Sequence, residues 1–122
     1  MKLEQVPHAG VAQLISAYQE AARQHGDASE DGDYKTANKS AGLIAAIYAE
    51  LRRQGLAAQK ELLSLLASPT PGVRLWSASH ALEFSPDEGE RVLSELAMQR
   101  QVLGLSAATT LKEWREGRLH FQ

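Results

Sequence analysis

The sequence predicts an all-α fold of about six helices in antiparallel pairs, stacked as an α-solenoid. Apolar residues recur at intervals of three and four along most of the chain, which is the spacing of a helix with one buried face. No segment shows the period-two alternation of a strand. Prolines and glycines separate the periodic segments, as helix starts and stops do. The 122 residues have the length of one ordinary domain, so we expect a single helical domain over residues 1–122.

The composition excludes several classes of protein. A net charge of −2 is too small for a general nucleic-acid or membrane-surface binder. The sequence has no cysteine, which excludes disulfides, zinc–thiolate sites and thiol nucleophiles. The first residues, MKLEQVPHAGVAQ, carry an acid and a proline where a signal peptide needs an apolar run, and the run SAGLIAAIYA is too short to span a bilayer. We therefore expect a cytosolic protein with no membrane association.

The first two predicted helices are long. The first begins near Ala9, just beyond Pro7, and ends at Gly26, a residue type suited to the left-handed position after a helix. The second runs from about residue 34 to residue 54, and Gly55 closes it. Their predicted buried faces are Val11, Leu14, Ile15, Tyr18, Ala22 and His25 in the first helix, and Ala37, Ala41, Ile44, Tyr48 and Leu51 in the second.

The third and fourth predicted helices meet at a pair of prolines. Residues 57–67 predict the third helix, whose leucines leave little polar face. Pro71 suits the first position of the fourth helix, and Thr70 is placed to cap it. The fourth helix is apolar on two sides, so we expect it to lie between other helices. One stripe consists of Val73, Trp76, His80 and Phe84, and the other of Leu75 and Leu82.

The last two helices have clear start and stop signals. Ser85-Pro86-Asp87-Glu88 supplies a capping box and a proline at the first helical position, so the fifth helix begins there. The sixth covers about residues 103–116, and Gly117 stops it. The predicted core faces are Val92, Leu93, Leu96 and Ala97 in the fifth helix, and Leu105, Ala108, Leu111 and Trp114 in the sixth.

A weak internal repeat relates the fourth helix to the sixth. Ser77, Ala78 and Leu82 match Ser106, Ala107 and Leu111 at a constant offset of 29 residues. The small residues at 78 and 107 predict that each helix approaches its partner closely. A period of this size, with one helical hairpin per unit, is typical of solenoids.

The run LLSLLASPTPGVRLWSASHALEF resembles a HEAT repeat through its patterns LL-x-LL, P-x-VR and A-x-x-AL. The resemblance implies a HEAT-like stack of helical hairpins. In such repeats an Asp before the proline and an Arg after the valine commonly tie adjacent repeats together. Arg74 matches that Arg, but Ser68 and Thr70 stand near the place of the Asp, so only half of the ladder is present.

Three blocks of the chain, DYKTANK, VRLWSASHALEFSP and AATTLKEWREGRL, are similar to a small family of bacterial proteins classified as a domain of unknown function. The resemblance implies an α-helical fold. Members are often encoded in polymorphic-toxin loci, so it also implies a role as an immunity protein. It supplies no functional residues.

The segment GDASEDGDYKTANK contains D-x-S-x-D-G, the first half of an EF-hand calcium loop. Asp27, Ser29 and Asp31 stand at ligand positions, and Gly32 stands at the sharp turn. Asn38, however, occupies the position that needs a bidentate Glu. We therefore favour a solvated loop between two helices over a metal site.

The same segment has a third interpretation, as an acidic docking patch for a basic partner. Asp27, Glu30, Asp31 and Asp33 crowd one short loop. Electrostatic complementarity of this kind mainly speeds association and selects partners. These four residues are candidate partner-binding residues.

Two further pairs are candidate partner contacts. Trp76 and His80 share a stripe of the fourth helix, and Arg115 follows Trp114 in the sixth. Tryptophan and arginine dominate the binding energy of protein interfaces when they are accessible. Ordinary core packing is the alternative interpretation for both tryptophans and for His80.

The sequence shows no catalytic or cofactor-binding pattern. The four histidines are scattered and lack metal-ligand spacing. Ser77, Ser79 and His80 are near neighbours in one helix, where their side chains diverge and form no nucleophile–base pair. No G-x-S-x-G, Walker or dinucleotide glycine motif occurs. We therefore expect neither an enzyme nor a cofactor.

The function these observations favour is protein binding, most concretely by a cytosolic immunity protein that neutralises a cognate toxin. One alternative is a non-catalytic adaptor in a regulatory complex. Another is a HEAT-like nucleic-acid-binding protein, which would need a basic concave face that the sequence does not supply.

Overall fold

The computed structural model describes residues 1–121, and the regular elements of this part of the chain are all helices. They are an N-terminal 3-10 helix (Leu3–His8), α1 (Val11–Asp31), α2 (Tyr34–Gln54), α3 (Leu56–Lys60), a second 3-10 helix (Glu61–Ala67), α4 (Pro71–Phe84), α5 (Pro86–Ala97) and α6 (Val102–Arg115). The all-α prediction is confirmed. In this part of the chain, no helix combines the length and the hydropathy needed to cross a membrane.

The described chain forms two compact units, Met1–Leu62 and Leu63–Phe121. In the first unit, α1 packs against α2, and the N-terminal 3-10 helix and α3 also pack on α2. In the second unit, α4, α5 and α6 pack on one another. A single domain over residues 1–122 and a HEAT-like solenoid stay predictions.

Large side chains fill the core of the first unit. Tyr18 of α1 and Tyr48 of α2 have no exposed surface, and Leu14, Ile44 and Leu51 are equally buried. Burial raises the pKa of Tyr18 well above its ordinary value, so its phenol is neutral. The buried faces predicted for both helices are confirmed at these positions.

A buried hydrogen bond fastens α3 to α2. The Gln59 side-chain amide donates to the Tyr48 hydroxyl over 3.0 Å, and both residues are buried. A buried amide needs such a partner, because leaving it unpaired destabilises the fold by about 1–3 kcal/mol. The sequence alone did not reveal this pair.

The end of α1 differs from the prediction. The helix continues through Gly26 to Asp31, and Gly32 takes the left-handed conformation with φ of 73°. Either glycine could have ended the helix. The helix ends just before Gly32, and two residues then connect it to α2. The start also differs, because Pro7 lies inside the N-terminal 3-10 helix and α1 begins at Val11.

The third predicted helix, over residues 57–67, is divided into α3 and a 3-10 helix. Side chains three residues apart are eclipsed in a 3-10 helix, so Leu62 and Leu65 lie on one side. Both are buried, as is Leu66. The leucine run is thus a buried segment, as expected, with a tighter winding than predicted.

Small residues set the packing of the second unit. A Cβ atom built on Gly89 of α5 would lie only 2.7 Å from the carbonyl oxygen of Ala78 in α4. This confirms the expected close approach at residue 78. A Cβ atom on Gly104 of α6 would collide with the carbonyl group of Gln99. The backbone of α5 therefore lies against that of α4, and the backbone of α6 lies against the turn before it.

The starts of α4 and α5 are correct, but the predicted side-chain caps do not form. Pro71 and Pro86 occupy first-turn positions, as expected. Neither Thr70 nor Ser85 makes a capping hydrogen bond with its side chain, so the predicted capping box is wrong. Their carbonyl groups instead accept the first helical hydrogen bonds, and the fixed φ of proline suits the first turn.

The predicted core face of α6 is confirmed at Leu111 and Trp114 but wrong at Leu105 and Ala108. Leu105 is 69% exposed and Ala108 is also exposed, whereas Gly104, Ala107 and Leu111 are buried. The close approach of Gly104 to the preceding turn fixes this rotation of the helix. The periodicity alone did not distinguish Ala107 from Ala108, and it favoured Leu105 over the smaller Gly104 that packs inward.

Candidate partner-binding surface

The four acidic candidates lie at the junction of α1 and α2, which we call the acidic corner (Asp27, Glu30, Asp31 and Asp33). The predicted loop is absent, because the first three belong to the last turns of α1. The fourth is the N-cap of α2. All four are exposed. The four acids therefore lie near one another at the ends of two helices rather than on a long loop.

The helical conformation also bears on the EF-hand resemblance. Residues two apart on a helix point about 200° apart, so Asp27 and Ser29 diverge and cannot converge on one ion. Among the described residues, no group of three or more His, Asp or Glu side chains is placed to hold a metal ion.

Two of the four acids have partners within the chain. The Arg23 guanidinium donates to Asp27 over 2.8 Å and to Glu20 over 2.5 Å. These hydrogen bonds from Arg23 lower the pKa of Glu20 below its usual range. Asp33 accepts the backbone N–H of Thr36 over 3.2 Å, and hydrogen bonding from that residue lowers the pKa of Asp33.

The other two acids, Glu30 and Asp31, occupy an unfavourable position. They lie in the last turn of α1, which contains no basic residue. The C-terminal end of a helix carries partial negative charge, so carboxylates there lower stability by a few tenths of a kcal/mol. A basic partner would remove this repulsion, and Glu30 and Asp31 are therefore the acids best placed to bind one.

An aromatic residue beside the acidic corner was not among the sequence candidates. Tyr34, the first residue of α2, is 75% exposed. Tyrosine binds partners effectively because it combines a large rigid ring with a hydroxyl group. The sequence pattern identified Tyr34 only as the start of a helix, so the sequence did not indicate it as a candidate partner contact.

The pair Trp76 and His80 lies on α4. His80 is only 6% exposed, and Trp76 is half-buried. Their ring centroids are 6.1 Å apart. Burial lowers the pKa of His80 to about 3, so the ring is neutral near pH 7. This placement agrees with the expectation of a core or groove histidine.

The pair Trp114 and Arg115 lies on α6 and contributes to the second unit. Trp114 packs against the apolar core that α4, α5 and α6 share. The Arg115 guanidinium lies 2.6 Å from a carboxylate oxygen of Glu90 in α5. Arg74 of the HEAT-like pattern likewise bonds to Glu95 of α5, over 2.9 Å. Both arginines thus join α5 to its neighbours.

Residues of the N-terminal 3-10 helix and α1 line a surface groove of about 850 Å³, which we call the N-terminal groove. Its lining residues are Met1, Glu4, Gln5, His8, Ala9, Ala12, Gln13, Ser16, Ala17 and Glu20. No sequence pattern predicted this groove, because the short 3-10 helix has no recognisable periodicity.

Two glutamines fix the starts of the helices that form this groove. The side-chain oxygen of Gln5 accepts the N–H of Lys2 over 2.7 Å, and that of Gln13 accepts the N–H of Gly10 over 2.9 Å. Each bond satisfies a donor that a helix start leaves without a partner.

Comparison with known proteins identifies a family but no characterised relative. Residues 12–113 match the family model described as a domain of unknown function, DUF2019. Neither a curated protein nor a solved structure matches the chain significantly. The match covers α2, α4 and α5 completely and most of α1 and α6. The chain therefore belongs to the DUF2019 family.

Proposed function

We propose that this protein is a non-catalytic, cytosolic protein-binding module, most concretely a bacterial immunity protein that binds and neutralises a cognate toxin domain. The observation that carries the proposal is the acidic corner with Tyr34 exposed beside it. Exposed carboxylates steer a basic partner towards this corner, and the tyrosine ring offers a contact that excludes water.

The positions of Glu30 and Asp31 strengthen the proposal. Carboxylates that lower the stability of a helix end contribute nothing to folding there, whereas a basic partner would bind them favourably. A basic partner would supply the positive charge that the last turn of α1 lacks.

The side chains most suited to catalysis, two serine hydroxyls and a histidine ring, favour a binding role over a catalytic one. The Ser77 hydroxyl donates to the carbonyl of Val73 over 2.8 Å, and the Ser79 hydroxyl donates to that of Leu75 over 2.7 Å. His80 is buried, and its pKa of about 3 makes it a poor base near neutral pH. An activated nucleophile would need a base beside an accessible hydroxyl.

The proposal is tested by co-expressing the chain with a toxin domain encoded next to it. We expect the chain to restore growth and to co-purify with the toxin. The double variant Glu30→Gln/Asp31→Asn should weaken binding by about tenfold, mainly through slower association at low salt.

A matched control comes from Asp87 and Glu88, a second exposed pair of adjacent acids, at the start of α5. The variant Asp87→Asn/Glu88→Gln changes the charge equally and should leave binding within about twofold of the parent. Equal losses in both variants would show that general charge, not the corner, attracts the partner. If the parent chain neither restores growth nor co-purifies, the immunity proposal fails. Co-purification without protection would favour an adaptor.

A further inference from the structure

Several small side chains and two carboxylates line the N-terminal groove. Ala9, Ala12 and Ser16 line it together with the carboxylates of Glu4 and Glu20. Small side chains allow the backbone of a second helix to lie close to α1, as they do where α5 meets α4 in the second unit. A groove of this form suits a helix better than a compact small molecule.

Beyond the groove, the same face of α1 leads to the acidic corner. Ala12, Ser16 and Glu20 are spaced by four residues and therefore lie on the same side of the helix. Asp27 and Asp31, seven and eleven residues beyond Glu20, continue that side. All five are exposed. The distance from residue 12 to residue 31 along the axis is about 28 Å, or roughly five helical turns.

This face carries more acidic than basic side chains. Carboxylates occur at Glu4, Glu20, Asp27 and Asp31, and Arg23 is the basic residue that bonds to two of them. His8 also lines the groove. The potential of such a face favours cationic side chains and opposes nucleic acid phosphates.

We propose that the N-terminal groove binds a basic amphipathic helix of the partner protein. One side of that helix would lie over Ala12 and Ser16, and its lysines or arginines would face Glu4, Glu20 and the carboxylates further along α1. This inference rests on the proposed function and identifies how the partner is recognised. In helix-in-groove binding, the bound helix carries anchor side chains every three or four residues along one side. The residues named on α1 recur at the same spacing.

The test uses two labelled peptides of about 16 residues, long enough to form a helix. Both carry leucines at helical spacing on one side, and the polar side carries lysines in one peptide and glutamates in the other. We expect saturable binding of the basic peptide to the full chain by fluorescence anisotropy, and none of the acidic peptide.

Matched variants locate the site. Ala12→Arg fills the groove and should weaken binding of the basic peptide by at least about tenfold. Ala57→Arg, at an exposed alanine of α3 outside the groove, adds the same charge in the same unit and should change binding by less than about twofold. Circular dichroism should show that both variants keep the helix content of the parent.

Three results would overturn the inference: no saturable binding of the basic peptide, equal binding of the acidic peptide, or equal losses in the two arginine variants. Co-expression separates this inference from the proposed function. A parent chain that protects against the toxin, with Ala12→Arg protecting equally, would refute the groove as the binding site and leave the immunity role standing. A parent chain that does not protect refutes the immunity role, and the peptide titration still decides whether the groove binds a basic helix.

Discussion

The two units of this protein pack their helices by different means. The first unit places large rings between its helices, with Tyr18 and Tyr48 fully buried. The second unit has a glycine where two of its helices meet, so that Gly89 lies against the backbone at Ala78. The second unit also buries leucines, but its contact at Gly89 depends on close backbone approach, whereas the tyrosines of the first unit depend on filled volume. The two units should therefore respond to different substitutions.

The aromatic residues make this comparison measurable within one chain. Both tryptophans, Trp76 and Trp114, lie in the second unit. All three tyrosines, Tyr18, Tyr34 and Tyr48, lie in the first. Tryptophan fluorescence therefore reports unfolding of the second unit, and tyrosine absorbance, separated from the overlapping tryptophan bands by second-derivative spectra, reports the first.

The largest difference is expected from adding one methyl group to a glycine in each unit. Gly89→Ala should destabilise the second unit by about 1–3 kcal/mol, because its Cβ atom would lie 2.7 Å from a backbone oxygen. Gly42→Ala should stabilise the first unit by up to about 1 kcal/mol, because Gly42 is exposed within α2 and nothing lies within 4 Å of its Cβ position.

Urea unfolding followed by tryptophan fluorescence and tyrosine absorbance measures both effects. The Gly89 variant should lower the midpoint of the fluorescence transition, and the Gly42 variant should raise that of the absorbance transition. An unchanged fluorescence midpoint in Gly89→Ala would mean that α5 does not approach α4 as closely as the structure shows.

A second difference is expected in the response to acid. Because burial lowers the pKa of folded His80 to about 3 from an ordinary value of 6.5, the unfolded chain binds a proton there first as pH falls. The second unit should lose about 1.4 kcal/mol of stability per pH unit between these values. The variant His80→Gln should flatten this slope in the tryptophan signal.

The first unit should respond less near pH 6, because burial also lowers the pKa of His25 but leaves this ring only partly buried. Hydrogen bonds from Arg53, and then from Gln54, lower the pKa of Glu50 to about 2 from an ordinary value of 4.5. Its contribution to stability is present above pH 4.5 and is lost as pH falls towards 2. An equally steep loss in the tyrosine and tryptophan signals between pH 6.5 and 5 would mean that His80 is not the cause of the difference.

The smallest difference is expected from the two exposed acidic pairs. Glu30→Gln/Asp31→Asn removes charge from a helix C-terminus and should stabilise the first unit by about 0.5 kcal/mol. Asp87→Asn/Glu88→Gln removes charge from a helix N-terminus and should destabilise the second unit by a similar amount. Urea midpoints at low salt measure both changes, and a shift of the same sign in both variants would contradict the dipole argument.

Features that depend on one residue and its own backbone were predictable from the sequence. The bounds of α2 are as predicted, because Gly55 takes a positive φ that ends the helix. Pro71 and Pro86 likewise mark the starts of α4 and α5. Local backbone preference is enough at such positions, so no knowledge of the packing was needed.

Features that depend on packing were not predictable in the same way. The choice between Gly26 and Gly32 as the end of α1 depends on where α2 can fold back. The rotation of α6 depends on the fit of Gly104 against Gln99. The acidic candidates were named correctly as exposed residues. The ion pair of Asp27 with Arg23 follows from their i,i+4 spacing once α1 continues past Gly26, whereas the groove beside Ala12 arises only in the folded first unit.

The short connections between packed helices have a kinetic consequence. A two-residue link joins α1 to α2, and Ser85 alone separates α4 from α5. Closing such small loops loses little chain entropy, so each hairpin can form without waiting for distant parts of the sequence. Chains with mainly local contacts fold within microseconds to milliseconds, and a nascent first unit could therefore acquire its structure while the remainder is still being synthesised.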